Sequence, residues 1–302
     1  MKHKVSCFVP VRNKANFVGQ TIDSVLKQTT DDVEVLLSDQ GSTDNSLQVL
    51  KDIQTRYNGA KTVRVIECPR LEPKGLAGLN EHMDWMLTQT EAELIITVSA
   101  DDLCHPQRVE KTRKAYEETN ASFIGTKMQF IKPNGELDGV TAFDPKGNRF
   151  VTAREHIDQL VGGSVSTAWC RTFYEKVGGV HGPIIPDVFL PFLATLDRGF
   201  YIIDEQLFAY IRHPDHNNAG LGGQMLAADN DNDKLEINEL ANYQIISTLY
   251  QIGRVAVSLY PEEWAKDQDT AQCLYDNIVH RTNDWVMCRD LMNQRKLRPR
   301  LL

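Results

Sequence analysis

Apolar positions along the first hundred residues fall into two alternating rhythms. Val5–Val9, Val33–Leu37, Val63–Ile66 and Leu94–Val98 are short apolar runs, the first closed by Pro10. Their length suits buried strands. Between them, Phe17, Ile22, Val25 and Leu26 lie within residues 16–28; Leu47, Val49, Leu50 and Ile53 follow the second run; and Leu76, Leu79, Met83 and Met86 lie within 76–88. Each of these sets recurs at near-helical spacing. Strand then helix, repeated, predicts an α/β domain with a parallel sheet covered on both faces. In such sheets ligands gather beyond the carboxyl ends of the strands. Three polar clusters stand at such ends: Pro10-Val11-Arg12-Asn13, Asp39–Asp44 and Asp101-Asp102. They are distant in sequence and are expected to converge in space.

The middle of the chain is less regular. Ser122–Ile131 reads as a strand, followed by the turn Lys132-Pro133-Asn134-Gly135. Residues 136–150 are polar and glycine-punctuated, predicting a mobile loop or hairpin, and Gly162-Gly163-Ser164 is a second flexible point. Residues 187–198 fit a helix ending at Gly199, and Tyr201–Ile203 and Leu207–Ile211 read as two short strands. Near residue 218 the character changes. Gly220, Gly222 and Gly223 form a flexible join, and the cluster from Asp229 to Asp233 opens a helical pattern through about Ser258. Pro261 fits the first turn of a further helix, and residues 270–297 keep helical periodicity. The division expected is a domain over 1–217 and a helical C-terminal extension over 218–302.

Composition narrows the function. Among 302 residues, Lys plus Arg number 33 against 41 for Asp plus Glu, a net charge of −8. That balance argues against a duplex-binding field, while carboxylates are suited to holding a divalent cation. No apolar window approaches the roughly 20 residues needed to span a bilayer. The N-terminus lacks an apolar core followed by a small-residue cleavage site, so no signal peptide is expected. The six cysteines are scattered without a CxxC pair, which fits reduced thiols in a cytoplasmic protein. Asp229, Asp231 and Asp233 have the spacing that opens a calcium loop, but Lys234 and Leu240 occupy the positions that require Gly and Glu. The terminal Arg295, Lys296, Arg298 and Arg300 read as a solvated basic tail.

Residues 5–46 resemble the opening of family 2 glycosyltransferases of the GT-A fold. The resemblance rests on a strand ending in Pro10-x-x-Asn13, a helix carrying Ser24-Val25-Leu26-Lys27-Gln28, and a strand ending in Asp39-Gln40-Gly41-Ser42-Thr43-Asp44. Further pieces follow in order. Lys74–Asn80 is similar to the family's Gly-containing helix start, and Val98-Ser99-Ala100-Asp101-Asp102 sits where its metal-binding acidic motif belongs. Val177-Gly178-Gly179-Val180, Pro186-Asp187 and Tyr210–His213 resemble its acceptor-side elements. The likeness covers about residues 4–217 and implies a Rossmann-like, mostly parallel sheet flanked by helices.

The resemblance also implies roles. Pro10, Val11, Arg12, Asn13, Asp39, Lys74, Ser99, Ala100 and Asp101 are expected to bind a nucleotide sugar, a UDP-sugar above all. Asp101, Asp102 and His213 are expected to hold Mn²⁺ or Mg²⁺, and Asp187 to act as catalytic base. The chemistry fits these residue types. A carboxylate at a strand end, such as Asp39, accepts from a base N–H or a ribose hydroxyl, whereas Asp44 suits a helix cap. Arg12 is suited to stacking on a base or pairing with phosphate. A divalent ion neutralises the departing diphosphate. In-line displacement with inversion needs a base opposite the leaving group. Two departures stand out: Ser99 replaces the first acid of the metal motif, and Pro186 replaces an acid before the base. Plainer roles compete: Asp102 as cap of a helix starting near Pro106, Asp187 as an N-cap, Arg12 and Lys74 as solvated cations. The acceptor classes open are a glycan, a lipid-linked glycan, a protein or other hydroxyl-bearing molecule, or a modified nucleic acid, and the extension is a candidate surface for homo-oligomers. Two alternatives differ in kind. A nucleotidyltransferase needs a Gly-rich phosphate loop after the first strand, which Pro10–Asn13 lacks. A non-catalytic nucleotide-sugar-binding protein is consistent with Ser99 and Pro186.

Overall fold

The computed structural model describes residues 4–69, 75–140, 145–159, 167–212 and 230–295. The first half runs β1 (Val5–Val11), α1 (Val18–Leu26), β2 (Glu34–Asp39), α2 (Ser46–Arg56), β3 (Thr62–Glu67), α3 (Gly75–Thr88) and β4 (Leu94–Thr97). β5 (Leu103–Cys104), α4 (Arg108–Thr119), β6 (Phe123–Ile131), β7 (Leu137–Val140), β8 (Arg149–Val151) and α5 (Ala153–Gln159) follow. Then come β9 (Thr167–Cys170), α6 (Arg171–Lys176), α7 (Pro186–Leu196) and β10 (Phe200–Ile211). The tail holds α8 (Asp231–Leu259), α9 (Pro261–Lys266) and α10 (Gln268–Gln294).

Among the described residues one sheet has the order β3-β2-β1-β4-β9-β6-β10-β5, with β7 beside β6 and β8 beside β10. β1 and β2 bury both faces, with Val5, Phe8, Val9, Leu36 and Leu37 wholly inaccessible. Strands covered on both sides read as continuous apolar runs, which is why these two are plain in the sequence. Their parallel register sets Val11 opposite Asp39, while Phe8 lies opposite Thr97 on β4. The loops after β1, β2 and β4 therefore open at one edge of the sheet.

The fold class implied by the resemblance is present: a mixed α/β sheet with the parallel run β3-β2-β1-β4, into which β9, not read from the sequence, enters antiparallel between β4 and β6 (Ile95 opposite Trp169, Ile124 opposite Ala168). Four buried residues without alternation give little periodic signal. Tyr201–Ile203 and Leu207–Ile211 are one strand, β10. Its register shifts between Ile203 and Phe208 absorb the polar Asp204-Glu205-Gln206 that look like a break. Residues 136–150 contain two strands, β7 pairing with β6 and β8 with β10.

The tail helices close the core. Leu249, Ile252, Ala256, Tyr260 and Leu274 pack in one cluster with Phe189, Phe192 and Leu193 of α7. Asn230 caps α8 through its side chain, accepting from the N–H groups of Asn232 and Asp233 at 3.0 Å. The buried Glu239 carboxylate ties α8 to α10, accepting from Trp285 Nε1 at 2.9 Å and Arg289 Nη1 at 2.8 Å. All six cysteines are free thiols. No helix among the described residues is long and apolar enough to cross a membrane.

Candidate active site

The loops after β1 and β2 are laced together side chain to backbone. Asn13 turns the chain through a left-handed conformation (φ 54°), which asparagine tolerates better than most residues. Its side-chain oxygen accepts from the Thr43 N–H at 2.8 Å, and its own N–H donates to Ser42 Oγ at 3.0 Å. Lys14 N–H donates to Ser46 Oγ at 2.8 Å, and Ala15 N–H to Asp44 Oδ2 at 3.0 Å. Asp44 Oδ1 also accepts from the Ser46 N–H at 2.9 Å, the first residue of α2. Burial pushes the Asp44 carboxyl upward, but the bonds from Ser46 and Ala15 outweigh it and hold the group below its ordinary value. Asp39 lies within this frame, 3% exposed. Its Oδ2 accepts from the Ser42 N–H at 3.0 Å, while Oδ1 is buried without a hydrogen-bond partner. A buried acceptor left unsatisfied is costly. Arg12 sits half-buried on the same loop.

The acidic loop after β4 is held from beneath. Ser24 Oγ accepts from the Cys104 N–H at 3.0 Å. Gln28 donates to His105 O at 2.8 Å and accepts from the Val109 N–H at 2.9 Å. Both belong to the Ser24–Gln28 stretch, which spans the last turn of α1 and the two residues after it, so that motif is a clamp. Arg108, 1% exposed, donates to Thr97 O at 2.8 Å. Above the clamp, Lys14 Nζ reaches Asp101 Oδ2 at 2.5 Å, which couples the first polar cluster to the third. Asp102 turns inward instead. It is 1% exposed and accepts from the Ile211 N–H at 2.8 Å, fastening β10. Burial, then the charge of Asp101, push its carboxyl up to about 8. The N-cap of α4 is Gln107 with no side-chain cap bond, so Asp102 does not cap that helix.

α3 links this edge to α7. His82, buried, pairs with Ser38 Oγ at 2.7 Å just before Asp39, and burial lowers its pKa to about 4. Gln40 donates to Gly78 O at 3.0 Å. Asn80 donates to Gly182 O at 3.0 Å and Ile184 O at 2.8 Å, holding the segment that leads into α7. Nearby, Gly179 has φ 77°, and a Cβ there would lie 2.6 Å from Asp84 Oδ1, so the position requires glycine. From the other side, Thr248 of α8 accepts the Ile185 N–H at 2.9 Å. Asp187 lies half-buried in the first turn of α7, after Pro186.

Pro10, Val11, Arg12, Asn13 and Asp39 thus share one edge with Ser99, Ala100 and Asp101, while Asp187 is carried by the segment that Asn80 and Thr248 secure. Lys74, His213 and Gly162–Ser164 lie outside the described residues. Lys14, His82 and Thr248 are contributors that the sequence does not single out, and Asn80 enters it only as the last residue of the Lys74–Asn80 motif. A faint signal exists for two of them: His82 and Asn80 interrupt the apolar positions of α3 at helical spacing.

The sequence profile described as Glycosyl transferase family 2 matches residues 6–176. A chondroitin synthase of Pasteurella multocida is 28% identical over 134 residues, covering 44% of this chain. The chain spans only 13% of the length of that relative. Among solved structures, S. aureus TarS 1–349 in complex with UDP-GlcNAc is similar, with TM-score 0.59, 14% identity, and 98% and 93% of the two chains covered. A mannosyltransferase from Pyrobaculum calidifontis, in complex with GDP-Man and Mn²⁺, aligns with TM-score 0.53 and 13% identity over 97% and 88% of the chains. At such identity the structures speak for the fold, and the profile, spanning more than half of the chain, for the lineage: the protein belongs to glycosyl transferase family 2.

Proposed function

We propose that the protein transfers a sugar from a nucleotide-sugar donor, a UDP-sugar in the first instance, to an acceptor hydroxyl with inversion. The observation that carries this reading is Asp39. Its buried, unpartnered Oδ1 lies within a frame built by the loops after β1 and β2, on the edge that also carries Asp101. That oxygen suits a base N–H, and Arg12 suits the base face or a phosphate. The TarS complex with UDP-GlcNAc and the mannosyltransferase complex with GDP-Man support a nucleotide sugar as donor.

A divalent cation fits the donor set only as a shared guest. Among the described residues no group of three or more His, Cys, Asp or Glu is gathered to hold a metal. Asp101 presents a carboxylate that already draws positive charge, from Lys14. Ions such as Mg²⁺ are commonly held by one or two carboxylates plus substrate phosphates. Asp101 is therefore the protein ligand we assign, and Asp102 serves as its buried support. When bound, the cation neutralises charge on the departing diphosphate. Lys74 and His213 are assigned to phosphate and metal by family resemblance alone.

Asp187 is the proposed base. It lies half-buried in the first turn of α7. Residues 218–302 are read as an extension that steadies the start of α7 through Thr248. Free thiols suit a reducing, cytoplasmic setting. The acceptor favoured is a glycan hydroxyl, free or lipid-linked.

The test is release of nucleoside diphosphate from a panel of UDP- and GDP-sugars with glycan acceptors. We expect release with at least one donor, abolished in Asp101→Ala. A panel in which no donor turns over above the buffer rate overturns the reading.

A further inference from the structure

Lys14 enters the reading above only as the charge beside Asp101, where its ammonium meets the assigned metal ligand directly. Its Nζ lies 2.5 Å from Asp101 Oδ2, and the two side chains are only 18% and 14% exposed. We propose that Lys14 is a built-in counter-ion that keeps divalent cation off Asp101 until donor arrives, then passes to the donor diphosphate. This inference rests on Asp101 being the metal carboxylate.

Three observations carry it. First, charge: one carboxylate whose Oδ2 is bound by an ammonium cannot offer that oxygen to a metal without expelling a like charge from a largely enclosed space. Second, placement: the Lys14 main chain is pinned to the nucleoside frame, its N–H held by Ser46 Oγ and the next N–H by Asp44. The long side chain alone spans from that frame to the loop after β4. Lysine suits this, being a compact charge on a flexible stem that can change partners while its backbone stays fixed. Third, shared ligation: ions such as Mg²⁺ are commonly held by one or two carboxylates plus substrate phosphates. The phosphates that complete the metal's shell are the same groups that offer Lys14 a new partner. Donor and metal are then mutually dependent, and a cation bound without a nucleotide is disfavoured.

The experiment titrates the full chain with MnCl₂ and follows the free aqueous ion by electron paramagnetic resonance, without nucleotide. We expect Lys14→Met to bind Mn²⁺ about tenfold more tightly than the wild type, within the range for a mostly enclosed ion pair. Lys14→Arg, which keeps the charge, should stay close to the wild type. No gain in Lys14→Met, or an equal gain in Lys14→Arg, overturns the proposal. If Lys14→Met fails to give a cooperative melt, Lys14→Gln takes its place with the same criteria. The underlying assignment is tested separately. A gain that persists in Lys14→Met/Asp101→Asn refutes Asp101 as the ligand. So does wild-type protein that retains no more Mn²⁺ with UDP or GDP present than the nucleotide alone does.

Discussion

His82 makes the fold sensitive to acid in a way that can be isolated. The ring is 1% exposed, and its Nε2 lies 2.7 Å from Ser38 Oγ, one residue before Asp39. Burial lowers its pKa from 6.5 to about 4. Above the unfolded value, about pH 6.5, the ring is neutral in both states, and its contribution to stability is complete. As pH falls, the unfolded chain takes up a proton that the folded chain refuses until about pH 4, so stability is lost across that window and levels off below it. The gap corresponds to about 3 kcal/mol, a large share of the roughly 5–15 kcal/mol that holds an ordinary domain together. His82→Gln keeps a side chain able to bond Ser38 and removes the titration. Urea denaturation followed by tryptophan fluorescence, run from about pH 7.5 to pH 4 on both proteins, gives the difference directly. The wild type should lose about 3 kcal/mol relative to His82→Gln over that range. Curves that stay parallel, whatever their offset, would refute the reasoning.

Further substitutions separate the proposed roles. Asp187→Asn should cut turnover by about 100-fold or more with donor affinity unchanged, read from nucleoside diphosphate release beside a donor titration; near-normal turnover removes Asp187 as base. Asp39→Asn turns an acceptor site partly into a donor and should weaken nucleoside diphosphate binding by about 10- to 100-fold in calorimetry, the range for a hydrogen bond to a charged group. An unchanged Kd takes Asp39 off the nucleoside. Thr248→Val strips the acceptor from the Ile185 N–H and should cost about 1–2 kcal/mol in denaturant melts, along with turnover. Thr248→Ser should restore both, and a serine variant as poor as valine would place the effect in packing.

The parts of the fold that sequence reveals are those whose physics is local. β1, β2 and β4 are short apolar runs because they are buried on both faces, and the polar residues that end them mark the site edge. Asp39 and Asn13 stand at or just past such ends, which is why the sequence alone offers them as candidates. β9 was not, since four residues fixed by neighbours on β4 and β6 carry no period of their own. The same holds for side chains whose meaning depends on a distant partner. Asp102 is one more acid beside Asp101 in the sequence, and only the fold brings Ile211, 109 residues away, to donate to it. Lys14 is one cation among many until it is found against Asp101. Thr248 joins an apolar stripe of α8, and only the fold shows the Ile185 N–H above it.

The family profile stops at residue 176, but the sheet does not. β10 lies between β6 and β5, and the wall behind α7 is supplied by residues as late as Leu274. The stretch that is recognisably inherited is thus shorter than the stretch that folds. A chimera joined at the inherited boundary would part β6 from β10, its partner from Phe123 to Ile131, and Phe123 from the Phe200 ring. A graft intended to exchange acceptor preference should carry the chain through α10 as one piece.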